Sequence, residues 1–321
     1  MKKALFSATA IALALTAGST FASDLPSRKE APIFVPPPPP PPMWTGFYVG
    51  LNAGGTWADS SGTTLASGPL GGDPGWLPAW VGGISAVGAS TGAQTTNAGA
   101  FIGGGQAGYN FQFEQNFVVG IEADIQGVAG GNGSLSSANI APLGPAPVRG
   151  YYSAGETMAT SLSTQKQLDY FGTVRGRVGY LVLPTLLIYG TGGLAYGGVS
   201  SSASIFQGNN DCSSPLPGPC LAPAASSGGS RSSTQVGWTA GGGIEWMFLP
   251  NWSAKLEYLY YDLGSLTYTL SPLVSIGGSV PPVIAAAVAT QASTRFAGNI
   301  VRAGVNYHFN WGAPAPFVAN Y

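Results

Sequence analysis

The sequence predicts an all-β fold: an eight-stranded antiparallel transmembrane β-barrel with four long extracellular loops and short periplasmic turns. Three observations carry that expectation. About eight segments of ten to fifteen residues alternate apolar with small or polar side chains, and alternation at this length is the signature of a membrane-spanning barrel strand. Nearly all mid-strand charges fall on the polar face. The connections between segments are short and long in turn, which is the pattern of outer-membrane barrels.

The last segment shows the alternation best. Val301, Ala303, Val305, Tyr307 and Phe309 share one face, and Arg302, Gly304, Asn306 and His308 share the other. One face suits lipid and the other a small polar lumen. Eight such strands are expected, at about 45–57, 99–112, 117–129, 168–181, 186–199, 235–248, 252–269 and 294–309. Tight turns are expected at Phe113–Asn116, Val182–Thr185 and Leu249–Asn251, and long connections at about 58–98, 130–167, 200–234 and 270–293. An even strand count with both ends on the short-turn side puts the termini in the periplasm and the long loops outside the cell.

Aromatic residues gather where these strands meet the turns: Trp44, Phe47 and Tyr48, then Phe111 and Phe113, Trp246 and Phe248, Trp252, Tyr307 and Phe309. They are expected to form an interfacial belt, because such rings are apolar with a polar tip. A soluble ligand-binding barrel could show the same period. The faces argue against it: Val119, Ile121, Ala123 and Ile125, or Leu256, Tyr258 and Tyr260, form bulky charge-free rows, while Gly50, Asn52, Gly54, Gly241 and Gly243 form small ones. A water-facing wall of the bulky kind would be sticky.

Composition and the N-terminus point the same way. Lys2 and Lys3 precede an apolar run from Ala4 to Ala17 and small residues around Ala22, which reads as a secretory signal peptide over 1–22. The run is too short for a bilayer-spanning helix, which needs about 20 residues. Only 8% of residues are charged and 45% are hydrophobic, whereas soluble domains carry about 25% charge. A formal net charge of −1 gives no basic patch, so nucleic acid is not an expected partner.

Residues 23–43 form a proline-rich periplasmic linker ending in Pro36 to Pro42. Such a run adopts extended polyproline II at about 3.1 Å per residue. It is either a semi-rigid tether reaching peptidoglycan or a periplasmic partner, or a segment that simply does not fold. The barrel is expected over 44–309 and a tail over 310–321. Cys212 and Cys220 sit close together in a Ser/Gly/Pro-rich loop, where an exported protein is expected to pair them as a disulfide. Closing so short a loop would contribute only roughly 2–3 kcal/mol. A metal site would lack further ligands there, and no metal or cofactor is expected.

The inward face is expected to carry Glu122, Asp124, Arg175, Arg177, Glu245, Lys255, Glu257 and Arg302, four acids and four bases. An eight-stranded barrel is just wide enough for side chains to fill, so these groups should pair across the axis. They form either a salt-bridged plug or a gate on a narrow conduction path. Outer-membrane barrels include hydrolases and acyltransferases, and most such sites need a histidine base. The one histidine, His308, lies at the periplasmic end of the last strand. No Gly-x-Ser-x-Gly elbow or His-Glu-x-x-His motif occurs. His308 is therefore read as a lumen hydrogen-bonding residue and the protein as no enzyme.

Several motifs together resemble the outer-membrane immunogenic protein family, small porin-family β-barrels of alphaproteobacteria. They are Asp24-Leu25-Pro26 after the signal, the entry from Trp44 to Gly54, the segments 169–180 and 256–264, and the closing run from Val301 to Phe309. The resemblance implies a surface-exposed barrel with envelope-integrity and antigenic roles, porin-like conduction as the alternative and adhesion through the loops as a third reading. It implies outer-membrane lipid and lipopolysaccharide, the barrel-assembly machinery, and peptidoglycan or a host surface as partners. It carries over no catalytic residues. Family members usually end at the final aromatic, whereas this chain runs on from Asn310 to Tyr321. Val305, Tyr307 and Phe309 are expected to act as an internal assembly signal, the other option being a part for Phe317 or Tyr321.

Overall fold

The computed structural model describes residues 43–59, 63–72, 82, 84, 99–131, 133–142, 157–209, 225–277 and 283–309. The signal segment, the proline run, Cys212, Cys220 and the tail after Phe309 lie outside them. Eleven strands are present: β1 (Gly46–Ala58), β2 (Thr63–Gly72), β3 (Gly99–Phe113), β4 (Phe117–Gly130), β5 (Gly133–Pro142), β6 (Thr157–Leu183), β7 (Leu186–Asn209), β8 (Ala225–Leu249), β9 (Trp252–Thr269), β10 (Leu273–Gly277) and β11 (Val283–Phe309). Eight of them close a ring in the order β1-β3-β4-β6-β7-β8-β9-β11, and β11 returns to β1 in register from Phe47↔Phe309 to Ala58↔Gly298. The ring is antiparallel throughout.

The remaining three strands prolong members of the ring. β2 runs on from β1 along β11, β5 runs on from β4 along β6, and β10 runs on from β9 along β11. Gly130 and Gly131 carry φ of +87° and +78° at the β4–β5 junction, a backbone turn that favours glycine. β6 and β11 have 27 residues each, whereas about 9–11 suffice to cross a bilayer. The wall therefore continues well past the lipid.

Face polarity marks where the lipid ends. In the lower wall Ile121, Ile125, Val174, Val178, Leu256, Val301 and Val305 point outward and are exposed. This band is bordered by ring contacts at the tight turns, Phe117 on Tyr180 at 5.3 Å and Trp252 on Tyr307 at 5.2 Å. Trp57, Phe101 and Trp238 border it at the other end, with the Trp238 ring 5.4 Å from that of Tyr260 and tilted to it. Above that second belt the pattern inverts. Ser161, Ser163, Gln165, Ser204 and Ser230 are exposed outside, while Leu162, Ala203, Ile205, Ala225, Tyr268, Leu273, Val288 and Ala292 are buried inside. Register breaks at Leu168/Tyr170 and Arg295/Ala297 fall at this level.

The upper wall also parts. Among the described residues the β8–β9 ladder ends at Trp238↔Asp262, and β2 and β5 do not pair. The result is two sheets, β5-β6-β7-β8 and β9/β10-β11-β2, packed face to face over a common apolar core that includes Ile84 from the β2–β3 connection. Ser271 N donates to Gly228 O at 3.0 Å and rejoins the two sheets at one edge.

Two expectations need correction. Much of the long connections at 58–98, 130–167, 200–234 and 270–293 is strand, not loop. Their Ser/Gly/Ala composition reads as loop because the outer side is wet and the inner side uses small apolar residues. Opposing partners, such as Ser163↔Ser204 and Thr290↔Ser67, supply the ladder that local composition does not announce. Trp44 and Tyr48 also leave the belt: both are buried inside the barrel.

The inversion has a measurable consequence. Ile121→Arg places a guanidinium in lipid and should cost roughly 2–4 kcal/mol, whereas Ser163→Arg above the belt should scarcely change stability. Urea titration of the folded, heat-modifiable form in vesicles checks both. Equal costs would mean that the apolar band is not where lipid sits.

Candidate functional site in the barrel lumen

Period-two alternation on β4, β6, β8, β9 and β11 delivers Glu122, Asp124, Arg175, Arg177, Glu245, Lys255, Glu257 and Arg302 to two adjoining levels of the lumen, and all eight are buried. Space for them comes from glycine. A Cβ on Gly54 would lie 2.1 Å from Val301 O and 2.7 Å from the Arg302 Cβ. The same holds at Gly193, where it would lie 2.2 Å from Val174 O beside Arg175. In so tightly curved a wall, a glycine beside each arginine lets the neighbouring strands approach.

Arg175 is the hub. Its guanidinium reaches Glu257 Oε1 at 2.9 Å, Asp124 Oδ2 at 3.2 Å and Glu122 Oε1, and its Nε donates to Thr173 Oγ1 at 2.9 Å. Arg302 binds Asp124 at 2.9 Å and Glu257 at 2.6 Å from the facing wall. Lys255 Nζ donates to both oxygens of Glu122, at 2.9 and 3.0 Å. Each carboxylate thus accepts from several charged or hydroxyl donors, which is the condition for burying charge without a large desolvation cost.

A second group lies nearer the tight turns. Arg177 Nη2 donates to Glu245 Oε2 at 2.6 Å, and the guanidinium stands 4.1 Å over the Tyr189 ring. Ser253 Oγ and Asn306 Nδ2 donate to Glu245 Oε1 at 2.6 and 2.7 Å. Tyr48 joins the two groups: its hydroxyl donates to Glu122 at 2.7 Å and accepts from Arg177 at 3.1 Å. His308 is buried with its Nε2 2.9 Å from Ser253 Oγ, between the rings of Trp44 and Tyr48. Its imidazole is enclosed by those rings.

Apolar layers lie on both sides of the charges. Trp44, Val118, Leu181, Leu187, Tyr189 and Met247 fill the mouth at the tight turns, and Trp44 Nε1 donates to Pro184 O at 3.0 Å. On the other side Ile102, Phe171, Val199, Leu259, Phe296 and Ile300 fill the lumen. Sequence reasoning named the eight charges and Asn306 as inward-facing and did not single out the other neutral residues that hold the charges: Tyr48, Thr173, Tyr189 and Ser253. Parity could have found Tyr48, since it shares a face with Gly50 and Asn52. Among the described residues no cluster of His, Cys, Asp and Glu is arranged to hold a metal.

Val305, Tyr307 and Phe309 point outward at the end of β11, with Tyr307 edge-on to Phe309 at 5.1 Å. Phe309 opposes Phe47 at the seam where the barrel closes.

A closed antiparallel ring with an apolar outer band, aromatic belts at both rims and a charged interior defines an outer-membrane β-barrel protein. The outer membrane protein β-barrel domain matches residues 41–309, and the chain belongs to that family. It is 31% identical over 306 residues to the 31 kDa outer-membrane immunogenic protein of Brucella melitensis, covering 92% of this chain and 96% of the relative. Over 188 residues it is 31% identical to a 22 kDa outer membrane protein of Rhizobium leguminosarum, covering 56% of this chain and 64% of that one. Among solved structures it is similar to OprG of Pseudomonas aeruginosa at 10% identity and a TM-score of 0.32, covering 83% of this chain and 97% of that chain. Its place is accordingly the cell outer membrane.

Proposed function

We propose that the protein is a structural, non-enzymatic outer-membrane barrel whose lumen is plugged, and that it serves envelope integrity and displays its upper two-sheet storey as a surface antigen. The observation that carries this reading is the complete pairing of the eight lumen charges between two apolar layers. Ions in transit would have to break several charge-assisted bonds and then cross an apolar layer, and neither step is cheap in low dielectric. The termini face the periplasm, as the tight turns at their end of the barrel suggest. Val305, Tyr307 and Phe309 form the signal read by the assembly machinery. The Brucella relative is called immunogenic, which agrees with an exposed upper storey.

Planar-bilayer recording of refolded, heat-modifiable protein tests this. Silence is the expected result. A steady, reproducible single-channel conductance would make the lumen charges a lined path and the protein a small-solute or ion porin.

A further inference from the structure

We infer that the neck between the barrel and the two sheets above it is a binding site for a short-chain monocarboxylate, seated against Lys166 in a small cavity on the inner side of the wall.

Irregularities of three ladders meet at this level. Between Gly127↔Tyr170 and Gly133↔Lys166 the chain places five residues, 128–132, against three on β6, 167–169. Gly130 and Gly131 take up that excess with left-handed φ values of +87° and +78°. β6 slips against β7 at Leu168/Tyr170, and β11 slips against β9 at Arg295/Ala297. Bulges of this kind end pairing, re-aim side chains and gather beside functional sites. Among the described residues no ladder bond joins Val128–Gly131 to Gln167 and Leu168, so backbone groups on that side can turn to a ligand.

The irregular stretch encloses a cavity of about 40 Å³. A water needs roughly 10–15 Å³ by this measure, so the space is that of about three waters, or of a carboxylate with a tail of one or two carbons. Ala58, Ala100, Val128, Leu168 and Phe296 supply apolar lining, and Lys166 is the one charged residue among the described lining residues. Lys166 stands in the row Gly133↔Lys166↔Ser201↔Arg231, in which Ser201 is buried, so its stem enters from the inner side. Asp59, next to Ala58, is exposed and outside the lining.

This chemistry selects the ligand. Burial pushes the Lys166 amine down from the ordinary lysine range, and a carboxylate beside it offsets that cost, since buried charges are kept by pairing. Thr56 Oγ1, also in the lining, is committed to Asn299 O at 3.0 Å, so recognition of the anion falls to Lys166 and the freed backbone. One cation suits one negative charge. A dianion such as phosphate would hold its second charge against Val128, Leu168 and Phe296. Those three side chains belong to the apolar layer above the lumen charges, so the ligand rests on the plug and does not cross it.

The test titrates the full mature barrel in phosphatidylcholine vesicles with urea in sodium propionate. Sodium chloride of equal ionic strength, propionamide and sodium pivalate are the comparisons. A ligand of about five non-hydrogen atoms reaches a dissociation constant on the order of 1 mM, so about 20 mM propionate should raise the folding equilibrium constant roughly twentyfold over chloride. Propionamide lacks the charge and the branched tail of pivalate is too wide for the cavity, so both should leave the constant at its chloride value. Lys166→Met should lose the propionate effect while keeping the heat-modifiable fold, and Ala58→Leu should lose it by filling the cavity from its rim. Equal wild-type midpoints in propionate and chloride would overturn the inference whether or not either variant folds, since the cavity would then hold water alone. An equal rise with propionamide or pivalate would overturn it too, as would a folded Lys166→Met protein that keeps the full effect.

Discussion

Arg175→Ala should be the most destabilising single substitution in the lumen, lowering the unfolding free energy by about 3–5 kcal/mol, the cost of breaking a buried pair from one side. The side chain is buried and its removal leaves Glu122, Asp124 and Glu257 short of a shared cation, with Thr173 Oγ1 losing an N–H donor. Lys255 and Arg302 remain, but each already serves its own carboxylates. The alanine cannot be compensated by collapse, since eight hydrogen-bonded strands fix the diameter. Urea titration followed by the mobility of the folded form on unheated gels gives the number. Arg295→Ala is the control: Arg295 pairs with Asp262 above the belt with its side chain 59% exposed, and solvent should leave that pair with little effect on stability. If Arg175→Ala unfolds at the wild-type midpoint, water must be solvating the freed carboxylates. The lumen would then be wet, and the plugged reading would fall with it.

How much of this was legible in the sequence differs by level. The ring of eight was legible because a lipid wall forces bulky apolar residues to alternate with a polar interior, as from Val301 to Phe309. The eight buried charges were legible for the same reason, since a charge on a membrane strand has only the lumen to enter. The upper storey was not. There Ser163 and Ser204 face water and Leu162 and Ile205 face a core, a pattern shared by loops, and only the pairing of distant strands distinguishes it. Trp44 was misread for a related cause. A tryptophan at a strand entry satisfies the expectation of a belt, and nothing in its neighbours says that the chain turns in toward the axis before β1 begins.

That inward turn makes Trp44→Ala the second large effect. Trp44 is 1% exposed, packed with Val118, Leu181, Leu187 and Met247, edge-on to His308 at 5.7 Å and tied to Pro184 O through its indole N–H. Its own backbone N–H donates to Gln112 Oε1 at 3.3 Å, and Gln112 N donates in turn to Thr45 Oγ1 at 3.0 Å. The first residues before β1 are thereby sewn into the mouth at the tight turns. Truncation removes the largest ring of that layer and leaves a cavity the fixed wall cannot close, so a loss of about 3–5 kcal/mol is expected. It also exposes His308 and Glu245 to water from that side. The two effects separate by measurement. Trp44→Phe should restore most of the packing yet lose the bond to Pro184 O, recovering more than half of the stability. Trp44→Ala in planar bilayers should remain silent, because Ile102, Phe171, Leu259 and Ile300 still close the lumen beyond the charges. Conductance appearing with Trp44→Ala alone would make the tryptophan the seal and would demote the layer above the charges to packing.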